Sequence, residues 1–149
     1  MDFFLVRHGE AKLETEDPRR PLSDQGRRDV AKVARAAAAK GIKISGILHS
    51  DKLRAKETAE ILAGFLSPVG GVREITGLSP EDDPLLAKTE IEAAEEPLML
   101  VGHLPHLGRL ASLLVVGDSE KKIVDFPAAA MICLSRAVGA WKLDWTLVP

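Results

Sequence analysis

The feature that most constrains the fold of this chain is a set of apolar runs that no polar residue interrupts. Three runs have this character: residues 3–6, 47–48 and 98–101. A strand with such a pattern is buried on both faces, which is typical of a parallel sheet covered by helices on both sides. Each run leads into a histidine, namely His8, His49 and His103. Because open α/β sheets place their sites where parallel strands end, we expect these histidines to share one edge of a sheet.

Stretches with apolar residues at helical spacing separate these runs. We expect a first helix from its N-cap Ser23 to about Lys40, and a second helix with Ser50 as its N-cap. A third helix is predicted over residues 85–95, and Pro105 suits the first turn of a fourth. This order of elements predicts the α/β class: a three-layer α/β/α sandwich with a mainly parallel central sheet and an antiparallel edge strand.

The predicted edge strand lies at the end of the chain, where the apolar pattern changes from continuous to alternating. Its apolar residues are separated by single polar ones: Trp141, Leu143, Trp145 and Leu147. A period of two indicates a strand with one face in solvent. Two further strands are expected, a short edge strand over residues 72–75 and a buried strand over residues 128–134.

Length and composition limit the classes of partner. At 149 residues the chain fits a single domain, residues 1–149, with one sizeable core. Its 20 basic and 22 acidic residues nearly balance, so no net field attracts nucleic acid or an acidic membrane. No apolar stretch approaches the ~18 residues of a membrane span. The single cysteine, Cys133, excludes an intrachain disulfide and suits a reducing compartment, so we expect a cytoplasmic protein.

The residues that follow the apolar runs suggest phosphate chemistry. The imidazole of His8 can attack phosphorus and hold the phosphoryl group covalently, provided that the ring is neutral. Guanidinium groups nearby, such as that of Arg7, favour the neutral ring by charge repulsion. Arg54 follows Ser50 by four residues and is expected in the first turn of the second helix, where the helix N-terminus attracts anions. Its planar side chain would grip phosphate oxygens in a bidentate manner.

A second imidazole and a further arginine complete this set of candidates. His103 is expected at the same edge as His8 and can donate to a phosphoryl oxygen as charge builds up. Arg20 lies in the loop before the first helix, where Arg19 is an equal candidate. His49 and His106 are expected to orient neighbours or to face solvent.

Three segments of the chain resemble the motifs of the histidine phosphatase superfamily, the group that includes phosphoglycerate mutases and acid phosphatases. The first is Arg7-His8-Gly9-Glu10-Ala11, the second runs from Ser50 to Thr58, and the third is Val101-Gly102-His103. They occur in the order of the family and span nearly the whole chain. The short length, together with Arg20-Pro21-Leu22-Ser23 and Gly102-His103-Leu104-Pro105, is most similar to the SixA-type phosphohistidine phosphatases.

This resemblance assigns roles to the candidate residues. It implies that His8 is the nucleophile, that Arg7, Arg54 and His103 form the catalytic phosphate pocket, and that Arg20 is a further pocket arginine. Ser50 belongs to the second motif and is included among the phosphate-binding candidates. No cofactor and no metal is implied. The implied partner is a phosphorylated protein, of the histidine phosphotransfer domain type, or a small phosphomonoester.

The chain departs from many relatives in its middle, where these carry a general-acid glutamate within a longer insertion. The corresponding stretch here offers only Glu81, Asp82 and Asp83, and the sequence does not select among them. A phosphorylated imidazole can leave after protonation of its own ring, so it depends less on an enzyme acid than an alkoxide does. The departure therefore favours a phosphohistidine on a protein as the substrate.

Three other interpretations stay open at this stage. A small-molecule phosphatase of the same superfamily differs only in its substrate. A non-catalytic phosphate-binding module would use the same arginines without needing a neutral His8. A metal hydrolase would have to use the four histidines of the chain, but these lack the spacings typical of zinc sites.

Overall fold

A computed structural model describes all 149 residues of the chain. Six strands and four helices follow one another in this order: β1 (Asp2–Arg7), α1 (Asp24–Ala39), β2 (Gly46–His49), α2 (Leu53–Leu66), β3 (Val72–Glu74), α3 (Pro84–Ala93), β4 (Leu98–Gly102), α4 (His106–Val116), β5 (Met131–Ala137) and β6 (Ala140–Leu147). No helix has the length and the apolar character needed to cross a bilayer.

All six strands form one sheet in the order β3-β2-β4-β1-β5-β6. The first four strands of this order run parallel to their neighbours, β5 is antiparallel to β1, and β6 is antiparallel to β5. β3 and β6 are the two edge strands, as the sequence predicts. The predicted three-layer α/β/α architecture is confirmed by this sheet together with the helices that cover its two faces.

The sheet is covered on both faces, which explains the unbroken apolar runs. Phe4 belongs to an apolar cluster with residues of α1 and α2, such as Val30 and Leu62. The next residue along the strand, Phe3, belongs to a second cluster with residues of α3 and α4, such as Leu107. Because successive side chains of a strand point to opposite faces, both faces of β1 need apolar residues.

The helix starts agree with the sequence only in part. Ser23 is the N-cap of α1, where its hydroxyl accepts a hydrogen bond from the Gly26 N–H at 3.0 Å. Ser50 is not the N-cap of α2, so that prediction is wrong: the N-cap is Lys52 and the helix begins at Leu53. The Ser50 hydroxyl lies 2.6 Å from His103 instead, a partner that sequence spacing does not show.

Two predictions about the last strands need correction. β5 begins at Met131 rather than at residue 128, because Ala129 has a positive φ of 66° that a strand cannot contain. The polar–apolar alternation of β6 does not leave one face in solvent throughout. Cys133 pairs with Trp145 and Leu134 pairs with Leu143, so the residue between those two partners is a β-bulge.

This bulge divides the apolar residues of β6 between the two faces of the sheet. Trp145 contacts Phe4, with ring centroids 5.9 Å apart, on the side of α1 and α2. Trp141 contacts Phe3 at 5.3 Å on the side of α3 and α4. Without the extra residue, both tryptophans would point to the same face.

Candidate active site

The carboxyl ends of the central parallel strands bring the candidate histidines together. Arg7, the last residue of β1, is in register with Gly102, the last residue of β4. The His8 N–H donates to the Gly102 carbonyl at 3.0 Å, which ties the first residue beyond β1 to the end of β4. The rings of His8 and His103 therefore lie side by side, with centroids 4.9 Å apart.

The His8 ring is held as a neutral imidazole with a free nitrogen lone pair. Its Nδ1 lies 2.7 Å from the Gly9 carbonyl oxygen, which can only accept, so Nδ1 carries the proton. Burial lowers the pKa of His8 from 6.5 to about 4, and the charges of Arg54, Arg7 and Arg20 act in the same direction. The lone pair on Nε2 is therefore available at neutral pH, which a nucleophile requires.

The three arginines whose charges act on the His8 ring form no ion pair with a carboxylate. Arg7 donates through Nη1 to the Phe126 carbonyl at 2.9 Å, and Arg20 donates through Nε to the Lys12 carbonyl at 3.1 Å. Neither of them nor Arg54 forms an ion pair. Burial and the charge of Arg20 lower the pKa of Arg54, so these two guanidinium groups repel each other, and the charge of Asp51 offsets part of this effect.

Two of these arginines have donors that no protein group accepts. Arg7 Nε and Arg54 Nε are buried and have no hydrogen-bond partner. Buried donors in native proteins are normally paired, and exceptions concentrate where a ligand binds. Unpaired positive charge with free N–H groups is the arrangement that phosphate oxygens complement.

His103 is buried beside them, with 2% of its surface exposed. Its Nε2 lies 2.6 Å from the Ser50 hydroxyl oxygen, and its Nδ1 has no partner. Burial lowers the pKa of His103 to about 3, and repulsion by His8 and Arg54 contributes. His103 is therefore also neutral at physiological pH.

The structure distinguishes the adjacent arginines that the sequence left equal. Arg19 forms a surface ion pair with Asp17 at 3.0 Å, and 76% of its side chain is exposed. Arg20 has a positive φ of 49° and contributes its charge to the His8 site. The different backbone conformation sends two chemically identical side chains to different places.

His49 and Glu10 have partners outside the candidate pocket, whereas both ring nitrogens of His106 are buried without a hydrogen-bond partner. His49 Nδ1 donates to the Ser50 carbonyl at 2.8 Å, which agrees with an orienting role. His106 is fully buried at the start of α4 and does not face solvent. Glu10 accepts a hydrogen bond from the Ser23 hydroxyl at 2.6 Å, a contact between the end of the β1 loop and the N-cap of α1.

The three carboxylates of the middle segment have contacts away from His8. Asp82 accepts from the Ser79 N–H at 2.9 Å, and Asp83 caps α3 by accepting from the Leu85 N–H at 3.0 Å. Glu81, whose side chain is 80% exposed, lies 3.7 Å from the Arg109 guanidinium. The charges that shift the pKa of His8 are those of the arginines, and no carboxylate is among them.

Two residues that sequence reasoning did not single out hold the loops of the site in place. The Thr58 hydroxyl accepts from the Gly9 N–H at 3.1 Å and donates to the Arg54 carbonyl at 2.8 Å. The Glu57 carboxylate accepts from the Leu22 N–H at 2.8 Å, two residues beyond Arg20. Both belong to the second motif, and their roles depend on partners that are distant in sequence.

None of the four histidines belongs to a group of close metal ligands. The group of that kind in the structure is Asp2, Cys133 and Asp144, whose ligand atoms lie within 4.8 Å of one another. Asp2 begins β1 and so lies at the end of that strand opposite to His8. Burial raises the pKa of the Cys133 thiol to about 12, which keeps it protonated and disfavours metal binding.

Two proteins of known sequence are similar to this chain over most of its length. An uncharacterized protein of Picosynechococcus sp. strain PCC 7002 is 39% identical over 127 residues, which cover 80% of this chain and 76% of that protein. The phosphohistidine phosphatase SixA of Escherichia coli strain K12 is 26% identical over 154 residues, which cover 100% of this chain and 94% of that one.

A solved structure shows the same fold over almost the entire length. The protein histidine phosphatase SixA complexed with tungstate superposes with a TM-score of 0.88 at 24% identity, covering 99% of this chain and 97% of the other. The protein-family model for the histidine phosphatase superfamily (branch 1) matches residues 3–78, about half of the chain. Because this family model covers half of the chain, the chain belongs to the histidine phosphatase superfamily.

Proposed function

We propose that this protein is a metal-independent phosphatase that carries the phosphoryl group on His8 and takes it from a phosphohistidine of another protein. The observation that carries the proposal is the state of the His8 ring. Its Nδ1 proton is bound to the Gly9 carbonyl, its Nε2 lone pair is free, and the charges of three arginines without ion-pair partners act on it. A neutral nucleophile in a cationic pocket suits attack on a phosphoryl group.

The reaction proceeds in two displacements at phosphorus. In the first, the Nε2–P bond to His8 forms while the bond from phosphorus to the substrate nitrogen breaks, and the substrate imidazole leaves carrying a proton. In the second, water attacks phosphorus, the Nε2–P bond breaks with its electron pair returning to Nε2, and inorganic phosphate leaves with both protons of the water. Arg7, Arg20, Arg54 and His103 stabilise the charge on the equatorial oxygens in both steps.

The substrate class is inferred from the contacts of the three carboxylates of the middle segment, Glu81, Asp82 and Asp83. Asp82 and Asp83 already accept main-chain hydrogen bonds, and Glu81 is exposed beside Arg109. These contacts leave no obvious carboxylic acid to protonate a leaving group. A phosphohistidine, whose leaving group is protonated on its own ring, depends less on a general acid of the enzyme than a sugar phosphate does. The similarity to the phosphohistidine phosphatase of Escherichia coli supports the same substrate.

Trapping the phosphorylated enzyme tests the proposal. The protein is mixed with a radiolabelled phosphohistidine protein, quenched in alkali, in which phosphohistidine persists, and digested to locate the label. We expect label on His8 in the wild type and none in the His8→Asn variant. Phosphate binding without turnover would indicate a binding module instead. Comparable rates on a phosphohistidine protein, a sugar phosphate and an aryl phosphate would contradict the preference for a protein substrate.

Chelation should leave the activity unchanged. The three arginines of the site lack carboxylate partners and repel a divalent cation, so we expect full turnover in excess EDTA. A zinc-dependent phosphatase treated in parallel shows that chelation is effective. Loss of activity that one added divalent metal restores would contradict the metal-independent mechanism.

The lowered pKa of His8 predicts an acid-tolerant enzyme. The profile of kcat/KM against pH reports ionisations of the free enzyme and the free substrate. Protonation of His8 removes its lone pair, so activity falls as the pH drops through its pKa of about 4 rather than through 6.5. Aryl phosphates with different second pKa values, near 6, separate the contribution of the substrate. An acid limb near 6.5 with every substrate would contradict this prediction.

A further inference from the structure

The contact between Ser50 and His103 joins two buried side chains at the ends of neighbouring strands. Ser50 follows β2 and His103 follows β4, and the exposed fractions of their surfaces are 1% and 2%. The distance between Ser50 Oγ and His103 Nε2 is 2.6 Å, a short hydrogen bond. The Ser50 hydroxyl is therefore directed at a ring of the site rather than at the first turn of α2.

The direction of this hydrogen bond follows from the other partners of the two groups. The Lys52 N–H donates to Ser50 Oγ at 3.3 Å, so the oxygen acts there as an acceptor. The acceptor within reach of the Ser50 proton is His103 Nε2. If Nε2 carried the ring proton, the Ser50 proton would have no acceptor, and Nδ1 would be a buried lone pair without a donor. If Nε2 accepts, only the Nδ1–H stays unpaired, so this arrangement costs less.

We infer that Ser50 is a positioning residue, whose hydroxyl donates to Nε2 of His103 and holds the neutral ring in the tautomer that carries its proton on Nδ1. That Nδ1–H has no protein acceptor, and the His103 ring that carries it lies beside the ring of His8. It is therefore a donor for a phosphoryl oxygen, an inference that rests on the proposed function. In the other tautomer Nδ1 would present a lone pair, which repels an anionic oxygen.

The two neighbouring imidazoles then have complementary roles. His8 has its Nδ1 proton bound to the Gly9 carbonyl and its Nε2 lone pair free. His103 has its Nε2 lone pair bound to Ser50 and its Nδ1 proton free. One ring supplies an electron pair to phosphorus and the other supplies a proton donor to oxygen. Each tautomer is set by one contact outside the ring, and of these two contacts only the one from the Ser50 side chain can be removed by substitution.

Nitrogen NMR of protein labelled with ¹⁵N-histidine tests the inference, because protonated and unprotonated ring nitrogens have well-separated shifts. In the wild type at neutral pH we expect His103 with Nδ1 protonated and Nε2 unprotonated. In Ser50→Ala we expect averaged shifts from both tautomers and a kcat lower by about tenfold to a hundredfold, the range found when metal-bound histidines lose their orienting partner, with a smaller change in KM. Ser50→Thr retains the hydroxyl and should restore both readouts.

Ser45→Ala is the matched control, since Ser45 lies at the opposite end of β2 and donates to the Pro97 carbonyl at 3.0 Å. It should leave the His103 shifts and kcat unchanged. Wild-type protein with the proton on Nε2 of His103 would overturn the inference, and this measurement needs no variant. So would a Ser50→Ala variant with wild-type shifts and rate. A wild-type protein inactive on every phosphorylated substrate would contradict the proposed function, whereas the shifts would still decide the tautomer.

Discussion

Replacing His8 by asparagine should reduce turnover by about 10⁴-fold or more, the scale seen when a covalent nucleophile is removed. The asparagine amide is close in size to the proximal part of the ring and can keep a donor near the Gly9 carbonyl, but it has no lone pair that attacks phosphorus. The measurement is the steady-state rate on a phosphohistidine protein and on an aryl phosphate, together with the labelling of residue 8.

Binding of phosphate separates loss of chemistry from loss of structure in this variant. Arg7, Arg20, Arg54 and His103 remain in place, so titration calorimetry should still detect inorganic phosphate, and thermal unfolding should remain cooperative. A His8→Asn protein that folds, binds phosphate and retains a tenth of the wild-type rate would exclude covalent catalysis at this position.

Replacing Arg54 by alanine should lower kcat by about 10²–10³-fold, equivalent to about 3–4 kcal/mol of lost transition-state stabilisation. Arg54 has no ion-pair partner and a buried Nε without a hydrogen-bond acceptor, so its charge is available to the phosphoryl group. The loss is expected in kcat more than in KM, because charge on the equatorial oxygens changes during transfer. Rates at saturating and at limiting substrate concentration measure this division.

Two variants control for the loss of a positive charge as such. Arg19→Ala removes an identical side chain adjacent to Arg20, but one that is paired with Asp17 at the surface, so its rate should match the wild type. Arg54→Lys keeps the charge without the planar pair of donors and should recover only part of the activity. Equal effects of Arg19→Ala and Arg54→Ala would mean that general electrostatic attraction, and not contact with the phosphoryl group, explains the result.

The features of the fold that depend on local pattern were predictable. The uninterrupted apolar run of β1 requires burial on both faces, and Phe3 and Phe4 indeed pack into opposite clusters. The N-cap Ser23 was predictable for the same reason, since its hydrogen-bond partner, Gly26, lies three residues away. In both cases the relevant interactions follow from spacing along the chain.

The predictions that were wrong concern features that depend on partners distant in sequence. Ser50 has the residue type and the sequence position expected of an N-cap, but its hydroxyl bonds to His103, 53 residues away. The bulge in β6 exists only relative to β5, so the regular alternation of residues 141–147 could not reveal that Trp141 and Trp145 face opposite sides. A strand register is a property of two strands, and a single-strand pattern does not contain it.

The candidate site divides in the same way. The sequence alone determined which side-chain types it contains, because the two imidazoles and the arginines that follow the apolar runs are written directly in the chain. Only the tertiary structure decided which of Arg19 and Arg20 acts on the charge state of His8, which nitrogen of His8 is free, and what the Ser50 hydroxyl bonds to. The physical reason is that residue type sets which bonds a group can form, whereas the convergence of strand ends sets which partners it meets.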